Sequence, residues 1–169
     1  MVDGYSKVGD NMIFVTLGTQ DKPFNRLLEA VQKQIDNKKI KEKVIVQAGC
    51  TKFESKDMEI FDLIPMEDFS KYIAECDLLI THGGVGSIVD ALKKDKKVIA
   101  AARLYKYGEH VNDHQLQIIK NFGDAGYIIP LDDFDTLDEA LKKAKKFKPN
   151  KYKSNTENMI NLVEELINK

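Results

Sequence analysis

Residues 77–92, with the sequence DLLITHGGVGSIVDAL, decide which fold class this chain belongs to. An apolar run leads into three glycines within four positions, and a helical pattern follows from residue 88. The glycines therefore lie at a strand-to-helix turn, where the first N–H groups of the helix have no intrahelical acceptor and the helix dipole favours an anion. His82 and Ser87 add side-chain donors at the rim. The turn predicts a site for a phosphate or diphosphate, and the alternative is that its glycines serve close packing alone.

Strands and helices alternate on both sides of this turn. Apolar runs predict six strands, at residues 12–17, 43–48, 59–64, 77–81, 97–102 and 127–129. Helical spacing predicts the segments between them, at residues 24–35, 66–75, 88–94, 111–121 and 136–146, and a last helix at 155–168. This alternation is typical of a doubly wound, mostly parallel, Rossmann-like α/β sheet of about six strands.

In such a sheet a ligand lies beyond the carboxyl ends of the strands, at the point where the strand order reverses. We therefore expect four turns to converge around the ligand. They are residues 18–19, 64–66, 82–87 and 107–115.

Length and charge narrow the class of protein further. The 169 residues suit one domain, which we place at 12–169, with residues 1–11 as a disordered extension or an expression remnant. The 26 basic and 27 acidic residues give no support to nucleic-acid binding. No apolar stretch approaches the ~18 residues of a membrane span. Cys50 and Cys76 belong to no metal or CxxC motif, so we expect buried thiols in the reducing cytoplasm.

Two common nucleotide-binding motifs are missing. Val89 stands where a GxGxxG motif would need its third glycine, and the first turn offers Gly18 alone. The sequence contains no GxxxxGK[ST] motif either. Neither a dinucleotide-dependent redox enzyme nor a P-loop nucleotidase is therefore indicated.

Three segments carry a resemblance to a known family. They are residues 12–20 (MIFVTLGTQ), 77–87 (DLLITHGGVGS) and 109–115 (EHVNDHQ). In this order they resemble the donor-binding, C-terminal domain of GT-B glycosyltransferases. More closely, the chain is similar to the soluble PssE-type subunits of bacterial two-subunit polysaccharide transferases. It is also similar to the soluble subunit that adds the second GlcNAc to dolichol diphosphate in eukaryotes.

The resemblance implies which residues bind the donor, a UDP-sugar. The glycine turn and Ser87 would hold the diphosphate, with His82 beside the phosphates or the transferred sugar. Met66 would lie in the segment that packs on uracil, and Asp113 and Gln115 would read sugar hydroxyls. The full implied set is Gly18, Thr19, Met66, His82, Gly83, Gly84, Gly86, Ser87, Glu109, Asp113 and Gln115.

The resemblance also implies the reaction. The expected function is the catalytic subunit of an inverting, UDP-sugar-dependent glycosyltransferase that acts on a lipid-linked sugar acceptor in polysaccharide biosynthesis. This chain lacks the acceptor-binding domain of single-chain GT-B enzymes, so a membrane-anchored partner subunit would complete it at the cytoplasmic face. Glu109 and His110 are the candidates for a general base within the chain. The alternatives are a non-catalytic, nucleotide-sugar-binding enhancer subunit and, less favoured, a sugar-nucleotide epimerase.

We expect no metal and no other cofactor. Residues 133–135 do form a DxD sequence, which is the metal signature of the other large glycosyltransferase class. It precedes a capping-box pattern at residues 136–139, however, and acidic residues at a helix start suit the cap and the helix dipole.

Overall fold

The structure, a computed structural model, describes residues 11–153 of the chain. Residues 1–10 of the expected extension and the helix expected at 155–168 lie outside the described residues.

The described residues build one six-stranded sheet in the order β3-β2-β1-β4-β5-β6, and all neighbouring strands pair in parallel. The doubly wound, Rossmann-like sheet that the alternation predicted is therefore confirmed. Strand order reverses between β1 and β4, both of which are buried along their whole length. The strands are β1 Met12–Thr16, β2 Lys43–Gln47, β3 Met58–Phe61, β4 Leu78–His82, β5 Lys97–Ala101 and β6 Ile129–Pro130.

Within residues 11–153, five α-helices cover the two faces of the sheet. Side chains alternate along each strand, so Ile13 and Val15 of β1 join the core under α1 and α5, while Phe14 joins the core under α2, α3 and α4. The helices are α1 Asn25–Asp36, α2 Met66–Glu75, α3 Val85–Lys93, α4 His114–Asp124 and α5 Leu137–Lys146. Short 3-10 helices at Tyr105–Tyr107 and Phe134–Thr136 precede α4 and α5.

Two helices begin three residues away from the position that the apolar spacing predicted. Helix α3 starts at Val85 rather than at residue 88, so Gly86 and Ser87 belong to its first turn. Helix α4 starts at His114 rather than at residue 111 because the Asn112 Oδ1 accepts a hydrogen bond from the His114 N–H at 3.1 Å. This local turn replaces the first helical turn that was expected.

The expected capping box at residues 136–139 is wrong. Thr136 is the N-cap residue of α5, but its side chain makes no capping hydrogen bond. Its hydroxyl instead donates to the Asp133 carbonyl at 2.6 Å, and the Asp133 carboxylate accepts from the Asp135 N–H at 2.9 Å. The acidic residues thus stabilise the 3-10 turn before the helix.

The prediction of two buried thiols is right for Cys76 and wrong for Cys50. Cys76 is buried and its thiol donates to the Ile73 carbonyl at 3.2 Å. Burial raises the pKa of the Cys76 thiol to about 11. Cys50 is exposed because it follows Gly49 in the loop beyond β2.

Within residues 11–153, every helix is too short or too polar to cross a bilayer.

Phe14 tests how far the fold depends on the core between the sheet and α2. Its ring is fully buried and lies 5.3 Å from the Phe69 centroid and 5.5 Å from the Tyr72 centroid. Phe14→Ala should lower the free energy of unfolding by roughly 3–5 kcal/mol, measured by chemical denaturation. Phe61→Ala is the matched control. Because Phe61 is 37% exposed, this variant should lose much less unfolding free energy than Phe14→Ala. Equal losses in both variants would contradict the assignment of this core.

Candidate donor-binding site

The candidate site lies at the carboxyl edge of the sheet, between the ends of β1 and β4. His82 is the last residue of β4, and Gly18 follows β1 with a φ of +78°. A Cβ atom on Gly18 would lie 2.5 Å from His82 Nε2, and one on Gly84 would overlap the same ring. Both positions must therefore lack a side chain so that the imidazole can lie between the two turns.

The N-terminus of α3 opens into this edge. Gly84 is its N-cap residue, and no side chain in the described part of the chain caps the helix. The first-turn N–H groups, from Val85 to Ser87, have no intrahelical acceptor. A side chain at Gly86 would extend into open space. The helix thus presents unshielded backbone donors and the positive end of its dipole, which suits an anion.

Gln115, in the first turn of α4, ties the ends of β4 and β5 together. Its Oε1 accepts hydrogen bonds from the Gly83 N–H and the Arg103 N–H, each at 3.0 Å. Its Nε2 lies 3.3 Å from His82 Nδ1. The side chain is 4% exposed, so its atoms are engaged within the protein. A direct contact of Gln115 with a sugar hydroxyl, which the resemblance implies, stays a prediction.

Arg103 is a site residue to which the sequence assigned no role. Its guanidinium is buried and donates to the carbonyls of Lys22 at 2.7 Å, Glu109 at 3.1 Å and Leu17. Burial lowers the pKa of Arg103, and Cys50 and Glu109 oppose that shift. In the sequence, the one feature that could have singled out Arg103 was its position as a charged residue just beyond the buried strand β5.

Glu109 is held in an ion pair. Its carboxylate accepts two hydrogen bonds from Arg26, from Nε at 2.5 Å and from Nη2 at 2.7 Å, and a third from the Leu104 N–H at 2.9 Å. The Arg26 guanidinium lies 4.1 Å from the Tyr107 ring centroid, and the carboxylate is buried. Glu109 was expected among the donor-binding residues and as a candidate base, and both expectations stay predictions. In this arrangement its carboxylate also positions the loop beyond β5.

His110 has no free basic nitrogen either. Its Nδ1 accepts a hydrogen bond from the Asn112 N–H at 3.2 Å, so the neutral ring carries its proton on Nε2. Burial lowers the pKa of His110, together with the positive charge of Arg103 and with His114, while Asn112 and Asp113 act in the opposite direction. Both candidate bases are thus engaged with other groups of the protein, and the role of either one as the base stays a prediction.

The remaining expected donor-binding residues lie at the rim. Thr19 is exposed beyond Gly18, and Met66 opens α2 with 79% of its surface exposed. The turn before Met66 is anchored by the Gln47 Oε1, which accepts from the Ile64 N–H at 2.9 Å. Asp113 is exposed and accepts from the Tyr105 N–H at 2.8 Å. The structure thus brings Gly18, His82, Gly83, Gly84 and Gln115 into contact, while the roles of Thr19, Met66 and Asp113 in donor binding stay predictions.

The DxD residues form no metal site in the part of the chain that the structure describes. Among residues 11–153, no three His, Cys, Asp or Glu side chains are close enough together to hold a metal ion. Asp133 and Asp135 are both exposed, and Asp135 pairs with Lys33 at 3.8 Å.

His82 is neutral at physiological pH. Its pKa is lowered to about 3 by burial, and further by the positive charge of Arg103 and by the nearby His110. A neutral ring beside an uncapped helix N-terminus, at the point where the strand order reverses, is the arrangement with which proteins of the doubly wound α/β class bind anionic ligands.

Comparison with known proteins identifies the family within this class. Residues 12–169 match the model of the glycosyltransferase family 28 C-terminal domain, and the chain belongs to this family of glycosyltransferases. It therefore has the fold of the C-terminal domain of GT-B enzymes, as the three sequence segments indicated.

Individual relatives agree with the family. The chain is 33% identical over 81 residues to the UDP-N-acetylglucosamine transferase subunit ALG13 of Candida albicans, a match that covers 48% of this chain and 26% of that protein. The solution structure of an ALG13 shares the fold with a TM-score of 0.60 at 21% identity, over 91% of this chain and 95% of that one. The glycotransferase of kitacinnamycin has a TM-score of 0.61 at 18% identity, over 79% of this chain and 34% of that one. The chain thus spans about a quarter of the curated relative and a third of the kitacinnamycin enzyme.

The depressed pKa of His82 predicts a specific loss of stability in acid. The pKa of His82 in the native state lies below its ordinary value of 6.5. As the pH falls, the unfolded chain therefore binds a proton at His82 before the native chain does, and this lowers the free energy of unfolding. Between pH 7 and pH 5 the wild type should lose about 2 kcal/mol more unfolding free energy than His82→Asn, which keeps an acceptor near the position of Nδ1. Urea denaturation at both pH values measures this difference.

His114→Gln is the control for this titration, because it removes another histidine and leaves His82 in place. It should lose as much stability as the wild type between the two pH values. If His82→Asn shows the wild-type loss as well, His82 is not the group responsible.

Proposed function

We propose that this chain is the donor-binding, catalytic subunit of an inverting, UDP-sugar-dependent glycosyltransferase. One observation carries the proposal: the uncapped N-terminus of α3 opens beside the neutral His82 where the strand order of the sheet reverses. A diphosphate there would accept hydrogen bonds from the first-turn N–H groups of α3. The uracil would lie toward the turn that leads into Met66, as the resemblance implies.

This geometry suits the departure of a nucleoside diphosphate. As the bond from the sugar to the diphosphate breaks, negative charge grows on the leaving oxygen while the sugar gains positive character. Preorganised backbone donors and a helix dipole stabilise that charge without rearranging during the reaction. The proposed transfer therefore requires no metal ion, and the donor itself is the only nucleotide involved.

The acceptor side of the reaction is assigned to a partner subunit. Glu109 and His110 are both engaged in hydrogen bonds within the protein, which supports placing the base that activates the acceptor hydroxyl on the partner. The family relative from Candida albicans is itself named a transferase subunit, and the chain aligns with only 34% of the kitacinnamycin enzyme. The proposed partner is membrane-anchored and holds a lipid-linked sugar acceptor of polysaccharide biosynthesis at the cytoplasmic face. These last details are supported by the resemblance alone.

A second function is a non-catalytic enhancer subunit that binds a nucleotide sugar. The same engagement of Glu109 and His110 favours it, because neither of these two candidate bases is held ready for an acceptor hydroxyl.

Calorimetric titration of the chain tests the donor site. UDP, UDP-glucose, UDP-galactose, UDP-GlcNAc and UDP-glucuronate are compared with NAD as a negative control, with and without EDTA. We expect UDP ligands to bind with an affinity that EDTA does not change. Gly86→Val should weaken binding roughly tenfold or more, because its side chain would stand over the helix N-terminus in space that is now open.

Ala74→Val is the matched control for Gly86→Val, since it places the same β-branched residue on an exposed position of α2. It should bind UDP as the wild type does. Gly84→Val is a poorer probe, because its side chain would collide with His82 and disturb the fold as well as the site. Unchanged UDP affinity in Gly86→Val would show that the donor does not contact α3.

Transfer measured with the co-purified partner separates the two functions. If this chain is the catalytic subunit, Gly86→Val should lose transfer at a limiting UDP-sugar concentration in proportion to its lost donor affinity. If the partner holds the reacting donor, the same variant should transfer at the wild-type rate.

A further inference from the structure

We propose that Gln115 fixes His82 as the neutral tautomer protonated on Nε2, so that His82 donates a hydrogen bond into the site and takes no part as an acid or base. Gln115 is then a positioning residue that acts through His82. The tautomer follows from the geometry of the protein alone. Only the identity of the group that receives the hydrogen bond, an oxygen of the donor diphosphate or its sugar, rests on the proposed function.

The orientation of the Gln115 amide is the first step. Two backbone N–H groups, from Gly83 and Arg103, point at the same side-chain atom at 3.0 Å each. An amide nitrogen has no lone pair to accept them, so this atom is the carbonyl oxygen. The NH₂ group of Gln115 must therefore be the atom that faces His82.

The protonation of His82 follows from that orientation. The Gln115 Nε2 lies 3.3 Å from His82 Nδ1 and can only donate to it. Nδ1 must therefore carry the lone pair, and the proton of the neutral ring is on Nε2. An imidazolium ion would bring two N–H groups against each other at this contact, so the hydrogen-bond geometry opposes a second proton on the ring.

The charged surroundings oppose the second proton as well. The titratable groups that act on His82 from neighbouring elements are Arg103, beyond β5, and His110, in the loop before α4. Arg103 carries a positive charge and a protonated His110 would add another, so both disfavour an imidazolium, and burial acts in the same direction. The side chain of Gln115 itself is uncharged.

The protonated nitrogen faces the open side of the ring. His82 Nε2 is the atom that a Cβ on Gly18 would meet at 2.5 Å, so it points toward a turn that has no side chain. Among the hydrogen bonds of the described residues, Nε2 has no partner. A phosphate or sugar oxygen that enters between Gly18 and α3 would therefore meet an N–H donor that stays in one protonation state across the neutral range.

NMR spectroscopy of the 169-residue chain tests the tautomer directly. Long-range ¹H–¹⁵N NMR correlations of the imidazole distinguish Nε2–H from Nδ1–H, and His82→Asn identifies the signals of His82 among the three histidines. We expect the Nε2–H pattern with no titration between pH 5 and pH 8. An Nδ1–H pattern, or a titration near the ordinary histidine pKa, would overturn the proposal whether or not the protein binds UDP.

Gln115→Glu tests the role of the amide. One carboxylate oxygen can still accept from Gly83 and Arg103, while the other replaces the NH₂ donor by an acceptor. The proton of His82 should therefore move to Nδ1, and the pKa of His82 should rise. UDP affinity at pH 8 should fall roughly tenfold or more, because a lone pair on Nε2 then faces the ligand. UDP affinity unchanged despite a shifted tautomer would refute the hydrogen bond to the donor.

Gln117→Glu is the matched control, because it adds the same charge on an exposed position of the same helix. It should keep both the wild-type tautomer and the wild-type UDP affinity. If the wild type shows the Nε2–H tautomer but binds no UDP ligand, the proposed function fails while the assignment of the tautomer stands. If Gln115→Glu does not fold, the wild-type NMR pattern still decides the tautomer.

Discussion

The buried guanidinium of Arg103 is the constraint on which the carboxyl edge of this protein depends. A charge removed from water must be surrounded by hydrogen-bond partners. Here those partners are backbone carbonyls of Leu17 at the end of β1, Lys22 before α1 and Glu109 before α4. One side chain therefore joins the loop after β1 to the loop after β5. If either loop moved away, the buried guanidinium would lose hydrogen-bond partners. The second arginine, Arg26, completes the arrangement by holding the Glu109 carboxylate from α1.

Gln115 extends this constraint to the glycine turn. It binds the backbone of Arg103 and of Gly83 through one oxygen, so the same framework that encloses the guanidinium also sets the position of the turn after β4. His82 then lies between Gly18 and Gly84, where neither turn has a side chain to displace it. The order of dependence thus runs from a buried charge, through an amide, to an imidazole and an open helix N-terminus.

The sheet could be predicted from the sequence because its signals are local. Continuous apolar runs mark β1 and β4, and the glycines between β4 and α3 locate, within a few residues, the turn that is expected to bind an anion. The first residues of the helices were harder to predict. A hydrogen bond such as that from the His114 N–H to Asn112 Oδ1 delays the start of a helix without changing the apolar spacing. The ion pair of Arg26 and Glu109 could not be predicted from the sequence, because the two residues are 83 positions apart and neither belongs to a motif that pairs them. The resemblance pointed to Glu109 and Gln115 as residues near the donor. Only the folded chain shows that both side chains are already engaged with the protein.

Under the proposed function, these internal contacts would separate the binding of the donor from the activation of the acceptor hydroxyl. The groups that face the expected diphosphate are backbone N–H donors, a helix dipole and a neutral imidazole, and all of these keep the same charge from weakly acidic to weakly basic pH. Stabilising a departing diphosphate needs such permanent donors, whereas activating an acceptor hydroxyl needs a group that exchanges a proton. The two tasks require opposite electrostatic surroundings, because the cationic, desolvated edge that favours the leaving group also lowers the basicity of nearby histidines such as His110. Under the proposed function, a base on a separate subunit would keep its ordinary basicity, because it would lie away from this cationic, desolvated edge until the two subunits meet around the bound substrates.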